Sequence, residues 1–281
     1  MYITKSIAEM KLWVTQQHRE NKTIGFVPTM GYLHEGHLNL MRAAKQQCDL
    51  VVVSIYVNPT QFGPNEDFSK YPRDLERDFM LAEEVGVDTV FVPSDKEMYP
   101  EGYKTYVQVE SLSVTLCGKS RPGHFRGVAT IVNKFINIIQ PEVMYLGQKD
   151  AQQAILLRKM VSDLNSNTQV VVVPTTREPD GLALSSRNKY LSESERKQAI
   201  VLYHSLQLAK SLIERGERNS EKIINAMRNI IAAQPRAKID YVSIVNPETL
   251  EDVQQIESQV LIALAVFIGK TRLIDNVLIT K

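Results

Sequence analysis

A chain of 281 residues is roughly twice the ~150-residue scale of a single domain, which points to two domains or one large α/β unit. Hydrophobic residues at 43% against 23% charged exclude a disordered chain. The 33 lysines and arginines against 32 aspartates and glutamates leave a formal charge of +1, which argues against a nucleic-acid or membrane partner and for a small-molecule ligand.

In chain order, the opening Met1–Val14 stretch mixes lysine and glutamate into its apolar residues and has no secretory core. Apolar β-rich runs then recur at Ile24–Pro28, Leu50–Val57, Thr89–Val92, Glu142–Leu146 and Gln169–Val173. Between them, stretches such as Leu38–Gln47 and Arg73–Glu84 carry apolar residues three or four apart, the helical period. Near-continuous Val/Ile strands alternating with helices predict an α/β fold, a Rossmann-like parallel sheet that binds its ligand beyond the C-terminal ends of the strands. Past Pro174 the pattern changes. Ser192–Glu214 and Ser220–Ala232 read as helices, the first opened by Ser192 and Glu195 at capping-box spacing. Lys238–Val245, Val260–Ile268 and Arg272–Ile279 read as strands. The chain is thus expected to divide into a nucleotide-binding domain over 1–175 and a smaller α+β lid domain over 176–281, joined through Thr175–Arg187. The longest apolar run, Val260–Ile268, is too short to cross a bilayer. Cys48 and Cys117 form neither a paired framework nor a metal spacing, which suits a reduced, cytoplasmic setting.

Familiar nucleotide signatures are missing. Gly118-Lys119-Ser120 and Gly269-Lys270-Thr271 end like phosphate loops, but Ser113 and Leu264 stand where the first glycine belongs, and no two glycines lie two apart as a dinucleotide fingerprint requires. What remains follows the first long strand: Thr29-Met30-Gly31-Tyr32-Leu33-His34-Glu35-Gly36-His37 runs into the helix Leu38–Gln47. Two imidazoles three residues apart then sit at a helix N-terminus. Free backbone N–H groups and the positive dipole end attract anions there and favour a neutral imidazole that donates a hydrogen bond. Gly31 and Gly36 let the backbone approach a phosphate. The spacing of three, without a third ligand nearby, does not suit zinc, and no metal site is assigned to the chain.

Pro28-Thr29-Met30-Gly31 with His34-x-Gly36-His37 resembles the nucleotidyl-transferring α/β superfamily that includes the class I aminoacyl-tRNA synthetases. Within it, the chain is similar to the pantothenate synthetase (pantoate–β-alanine ligase) family. The similarity rests on Val57-Asn58-Pro59-Thr60-Gln61-Phe62, Tyr71-Pro72-Arg73, Arg121-Pro122-Gly123-His124-Phe125-Arg126-Gly127-Val128, Gly147-Gln148-Lys149-Asp150 with Gln153, and Asp180-Gly181-Leu182-Ala183-Leu184-Ser185-Ser186-Arg187-Asn188. It covers nearly the whole chain.

The resemblance implies ATP-dependent joining of pantoate to β-alanine through a pantoyl adenylate, releasing AMP and pyrophosphate, in coenzyme A precursor synthesis. It also implies Mg²⁺ alongside ATP and a homodimer. A carboxylate attacks the α-phosphorus in such a reaction, so the protein's task is positioning and charge stabilisation, without a serine or cysteine nucleophile. By resemblance His34, His37 and Lys149 are catalytic. Met30, Gly31, Gly147, Asp150, Thr176, Leu184, Ser185, Ser186 and Arg187 complete the ATP site, with Ser185–Arg187 as a mobile phosphate clamp. Gln61 and Gln153 bind pantoate, beside Asn58, Tyr71 and Met30. Thr176 stands where an aliphatic residue is expected against adenine, Asp74 is the candidate to hold Mg²⁺ through water, and His124 has no chemical task. An adenylyltransferase that stops after AMP transfer is the rival enzyme, but it would need cationic groups in place of Gln61 and Gln153. A nucleotide sensor without turnover leaves the clamp unexplained.

Overall fold

A computed structural model describes residues 1–64 and 66–280. Six strands, β1 (Tyr2–Thr4), β2 (Ile24–Thr29), β3 (Leu50–Ile55), β4 (Thr89–Phe91), β5 (Val143–Gly147) and β6 (Gln169–Val173), form an all-parallel sheet in the order β1-β4-β3-β2-β5-β6. The pleat sends alternate residues to opposite faces. Phe26, Val52 and Met144 therefore join one buried cluster with Met10 of α1 (Ile7–Arg19) and Phe135. Val27, Val51, Val53 and Tyr145 join another with Leu38 and Met41 of α2 (Glu35–Gln47) and Ala82 of α3 (Leu75–Glu84). Two-sided burial explains why these strands are apolar throughout instead of alternating.

Short helices α4 (Asp95–Met98) and α5 (Cys117–Ser120) precede the long, largely buried α6 (His124–Ile139) and then α7 (Ala151–Asp163). The sequence reading takes the start of α6 only as a motif, and it misses β1. That strand is three residues long and sits at the sheet edge, held by pairing Tyr2–Thr4 with Thr89–Phe91. Its pattern is too short to carry a period.

The strand order reverses at β2: β3 and β4 lie to one side, β5 and β6 to the other. Connections leaving β2 and β5 diverge there, so a crevice opens at their C-terminal ends.

The second unit holds α8 (Glu193–Ala199), α9 (Val201–Glu214), α10 (Ser220–Ala232) and an antiparallel sheet of β7 (Ala237–Val245), β8 (Val260–Ile268) and β9 (Thr271–Ile279), in that spatial order. The expected capping box is formed, with Glu195 Oε2 accepting from Ser192 N at 3.0 Å. The single expected helix from 192 to 214 is two, because the chain turns at Ile200. No glycine or proline marks that break. Central β8 is buried on both faces. Val260, Ile262, Leu264 and Val266 pack with Leu206, Ile223 and Met227, while Leu261 and Ala263 join the cluster that holds Phe125 and Val128 of α6. The small sheet thus lies between its own helices and the first unit. No helix among the described residues is long and apolar enough to cross a membrane.

Candidate active site

The β2–α2 connection is fixed from several directions by the fold itself. Thr29 Oγ1 donates to Ser54 O at 2.7 Å and accepts from Gly31 N at 3.1 Å. Gly31 has φ +79°, and a Cβ there would lie 2.8 Å from Ile55 Cγ2 and 2.9 Å from Asp78 Oδ2, so only glycine fits. Asp78 of α3, 1% exposed, accepts from Tyr32 N and Leu33 N, both at 2.7 Å. Burial pushes its carboxyl above the usual range, against the pull of those two N–H groups. Arg77 Nη1 adds a bond to Leu33 O at 2.9 Å.

His34 is the N-cap of α2. Its Nδ1 accepts from Gly36 N at 3.2 Å, and His37 Nδ1 accepts from His34 N at 3.3 Å, so the two imidazoles form a capping box. A ring nitrogen that accepts carries no proton, so each neutral ring bears its hydrogen on Nε2. Burial first, then the Lys149 charge, lowers the His34 pKa to about 4. Burial, His34 and Lys149 hold His37 well below the ordinary value. The rings stack at 4.0 Å. A Cβ on Gly36 would meet His34 Cε1 at 2.9 Å, so this glycine makes room for the capping ring. Sequence reasoning assigns Gly36 to backbone approach alone.

Lys149 lies on the turn Gln148–Asp150 that leaves β5, across the crevice from α2. Its Nζ is 3.5 Å from Asp150 Oδ2.

On a third side, the turn Pro59–Gln61 after β3 presents Gln61, whose Nε2 points at Met30 Sδ, 3.0 Å away and a weak acceptor. Asn58 beneath it is 1% exposed and fully engaged. Its Nδ2 donates to Gln61 Oε1 and Gly127 O, and its Oδ1 accepts from Thr60 and from Tyr99 Oη at 2.8 Å. His124 Nδ1 donates to Gln61 O at 2.8 Å and its Nε2 accepts from Arg121, which grips Glu66 with two nitrogens. His124, without a task from sequence, thus steadies the Gln61 turn. Gly127 lets α6 approach, since a Cβ there would meet Thr60 O at 2.4 Å. Gln153, on the first turn of α7, has no side-chain hydrogen bond among the described residues.

From the second unit, the turn Ser186–Tyr190 reaches over the crevice. Ser185 Oγ caps it by accepting from Arg187 N. Arg187 donates from Nε and Nη2 to the two oxygens of Asp67, each at 3.1 Å. Tyr71 is buried, with the Arg187 guanidinium 5.9 Å from its ring. Thr176 Oγ1 accepts from Asn39 of α2 at 3.0 Å, so the hydroxyl expected near adenine is turned to α2.

A cavity of about 200 Å³ is walled by Met30, His34, His37, Asn58, Gln61, Tyr71, Gly147, Lys149, Asp150, Gln153, Thr176, Leu184, Ser185, Ser186 and Arg187. A wider one of about 770 Å³ between the two units shares Lys149, Asp150, Gln153, Ser185 and Arg187 with it. Of the catalytic, ATP-binding and pantoate-binding residues read from sequence, Gly31 alone lies outside the wall, because its backbone is turned toward Ile55 and Asp78. Asp74 is also outside. Its carboxylate caps α3 by accepting from Arg77 N at 3.2 Å. Asp150 is the carboxylate in the smaller cavity's wall among the described residues. Among those residues no group of three or more His, Cys, Asp or Glu is placed to hold a metal.

Asp78, Asp67, Arg121 and Glu66 have no role in the sequence reading. Only Asp78 leaves a trace, four residues before Ala82 on the inward face of α3, where an acid needs a buried partner.

The sequence model of the family described as pantoate-beta-alanine ligase matches residues 2–278. Pantothenate synthetase of Caldicellulosiruptor saccharolyticus is 57% identical over 279 residues, 99% of each chain, and that of Acetivibrio thermocellus is 56% identical over the same coverage. The crystal structure of pantothenate synthetase from Thermus thermophilus superposes with a TM-score of 0.94 at 45% identity, covering 99% of both chains. The pantoate–β-alanine ligase of Francisella tularensis, complexed with β-γ ATP and β-alanine, gives 0.80 at 38% identity over 99% of this chain and 97% of that one. This chain belongs to the pantoate–β-alanine ligase family.

Proposed function

We propose that the crevice carries out an ATP-dependent condensation of pantoate with β-alanine in two steps, through a pantoyl adenylate. The observation that carries this reading is the meeting of two unlike groups in one cavity: neutral imidazoles and a lysine beside a helix N-terminus, and the amides of Gln61 and Gln153. The first set suits phosphate and the second suits an acid bearing hydroxyls.

In the first step a pantoate carboxylate oxygen bonds to the α-phosphorus and the bond to the bridging oxygen breaks, so that pyrophosphate leaves. Charge grows on the phosphoryl oxygens during attack. The Nε2–H groups of His34 and His37 and the ammonium of Lys149 meet that charge without reorganising. In the second step the β-alanine amine attacks the activated carbonyl, loses a proton, and AMP departs. The ATP and β-alanine carried by the Francisella relative are consistent with both steps.

Gln61 and Gln153 bind pantoate, with Tyr71 and Met30 beside them, while Asn58 fixes Gln61. Met30, Gly147, Asp150, Thr176 and Leu184 line the nucleotide, and Gly31 shapes the loop beneath it. The second unit, taken as 176–281, acts as a lid that carries Ser185, Ser186 and Arg187 to the triphosphate. Asp150 is the wall carboxylate that would hold a Mg²⁺ accompanying ATP, which would supply charge neutralisation on the phosphates. A cytoplasmic setting suits the buried free thiols of Cys48 and Cys117. The homodimer rests on the family resemblance.

Isotope exchange tests the order of events. Pantoate and Mg-ATP without β-alanine should return labelled pyrophosphate into ATP. Full turnover without that exchange would overturn the adenylate.

A further inference from the structure

The turn bearing Lys149 is tied to the far edge of the second unit's sheet. Asn276 of β9, only 5% exposed, donates from Nδ2 to Gln148 O and to Lys149 O, each at 2.9 Å, and accepts from Gln148 Nε2 at 2.9 Å. Carbonyl oxygens only accept, so the amide orientation is forced: both Nδ2 hydrogens face the turn, and Oδ1 receives the Gln148 amide. The turn has no comparable anchor of its own, since neither Gly147 nor Asp150 makes a side-chain cap. The neighbouring Asp275 is 2% exposed, grips Arg177 with both oxygens at 2.6 and 2.9 Å, and also accepts from Asn276 N at 2.8 Å. Arg177 belongs to the segment that leaves β6 for the second unit. Two consecutive residues of β9 therefore hold the start of the connecting segment and the backbone of the Lys149 turn at once.

We propose that Asn276 is a positioning residue for adenylation, setting the height of Lys149 over the crevice from the second unit. The inference rests on the reading of Lys149 as a phosphate-binding catalytic group. A charge that acts on a developing transition state must be held to within about half an ångström, so a displaced turn lowers rate more than it lowers stability. The second unit then does more than cover the nucleotide. It completes the first unit's phosphate site, which links Lys149 to the placement of the β7–β9 sheet.

A double-mutant cycle on the full chain, read by pantoate-dependent pyrophosphate exchange with thermal unfolding recorded alongside, separates this role from general support of the fold. Lys149→Ala should lower exchange by roughly 10²–10³ and Asn276→Ala by roughly 10–100-fold. Because Asn276 acts through Lys149, the double variant should match Lys149→Ala within about threefold instead of showing the product of the two losses. Should Asn276→Ala fail to fold, Asn276→Asp carries the same comparison, since it keeps the volume and the Gln148 contact but withdraws both donors from the carbonyls. An undiminished rate in the Asn276 variant, or losses that multiply in the double variant, overturns the inference while leaving Lys149 catalytic. An undiminished rate in Lys149→Ala overturns the catalytic reading of Lys149, and this inference with it.

Discussion

Two segments bring the proposed phosphate-binding groups to the same cavity, and they are built differently. In the β2–α2 connection the anchoring contacts lie within the fold: Asp78 holds two amides, the histidines cap the helix, and Nε2–H is left on each ring. In the turn at Ser186–Tyr190 the key cation already has a partner, since Arg187 is paired with Asp67, while Tyr190 Oη reaches Lys70 O at 3.1 Å. A preformed donor can stabilise a transition state without rearranging. A paired one must first exchange a carboxylate for a phosphate. The first segment should therefore act on rate, the second on binding and closure.

The comparison breaks most readily at the rigid side. His34→Ala or His37→Ala should reduce the adenylation rate by roughly 10²–10³, the usual loss for one preorganised donor, with the melting temperature shifted only modestly. Pyrophosphate exchange measures this directly. A variant that keeps its exchange rate takes that histidine out of the catalytic set.

The acid-binding side comes next in size. Gln153 makes no side-chain hydrogen bond among the described residues, and the Gln61 amide nitrogen faces only a thioether while its oxygen accepts from Asn58, so donors of both glutamines are open to the proposed pantoate. Loss of either leaves a carboxylate or hydroxyl of the bound acid without a partner, worth about 1–3 kcal/mol. Gln153→Ala should raise the pantoate KM by about 5- to 150-fold on that scale, and ATP binding by calorimetry without pantoate should stay within about threefold. Equal weakening of both ligands would assign the glutamine to the nucleotide.

The rigid side is also the legible side. A helix N-terminus with two imidazoles at fixed spacing is written in consecutive residues, so the capping pair His34 and His37, and with it the proposed anion site, can be read from the chain. The parallel sheet is legible for a similar reason, because its Val-rich runs are local. What escapes depends on contacts across long stretches of sequence. Asp78 lies 45 residues from Leu33, Asp67 lies 120 from Arg187, and Asn276 lies 127 from Lys149. No periodicity relates them to their partners, and apart from Asp78 on the inward face of α3, each looks like an ordinary surface or strand residue until folding brings its partner near. The break at Ile200 escapes because it leaves no sequence mark.

On the paired side a smaller effect is expected. Asp67→Ala frees Arg187 and removes the competitor that a phosphate must displace. ATP affinity should rise by a few-fold, since this half-buried bidentate pair near the surface is worth only about 1 kcal/mol. Trypsin cleavage after Arg187 in the nucleotide-free protein should become faster, because the turn loses a tie to the first unit. Slower cleavage and weaker ATP binding together would mean that Asp67 supports the closed turn, not that it competes for it.

The last effect is one of absence, and it tests the rigid segment where it is most specific. If Nδ1 of each histidine accepts a backbone N–H, protonation must break a cap, and burial beside Lys149 opposes it further. His34 in the free protein should therefore titrate at about 4 and not near the ordinary 6.5. The sign for stability follows from proton counts. Between 6.5 and about 4 the unfolded chain binds a proton at this residue and the folded one does not, so unfolding becomes easier as pH falls through that window. Above it both states are neutral and the contribution is flat. His34→Gln keeps an acceptor for the Gly36 amide but cannot titrate, so the difference in stability between wild type and variant should slope only between those values. Imidazole ¹³C–¹H shifts followed against pH give the midpoint itself. A His34 midpoint near 6.5 would show that the ring is not held by its cap, and the contrast between a preformed segment and a paired one would then lose its basis.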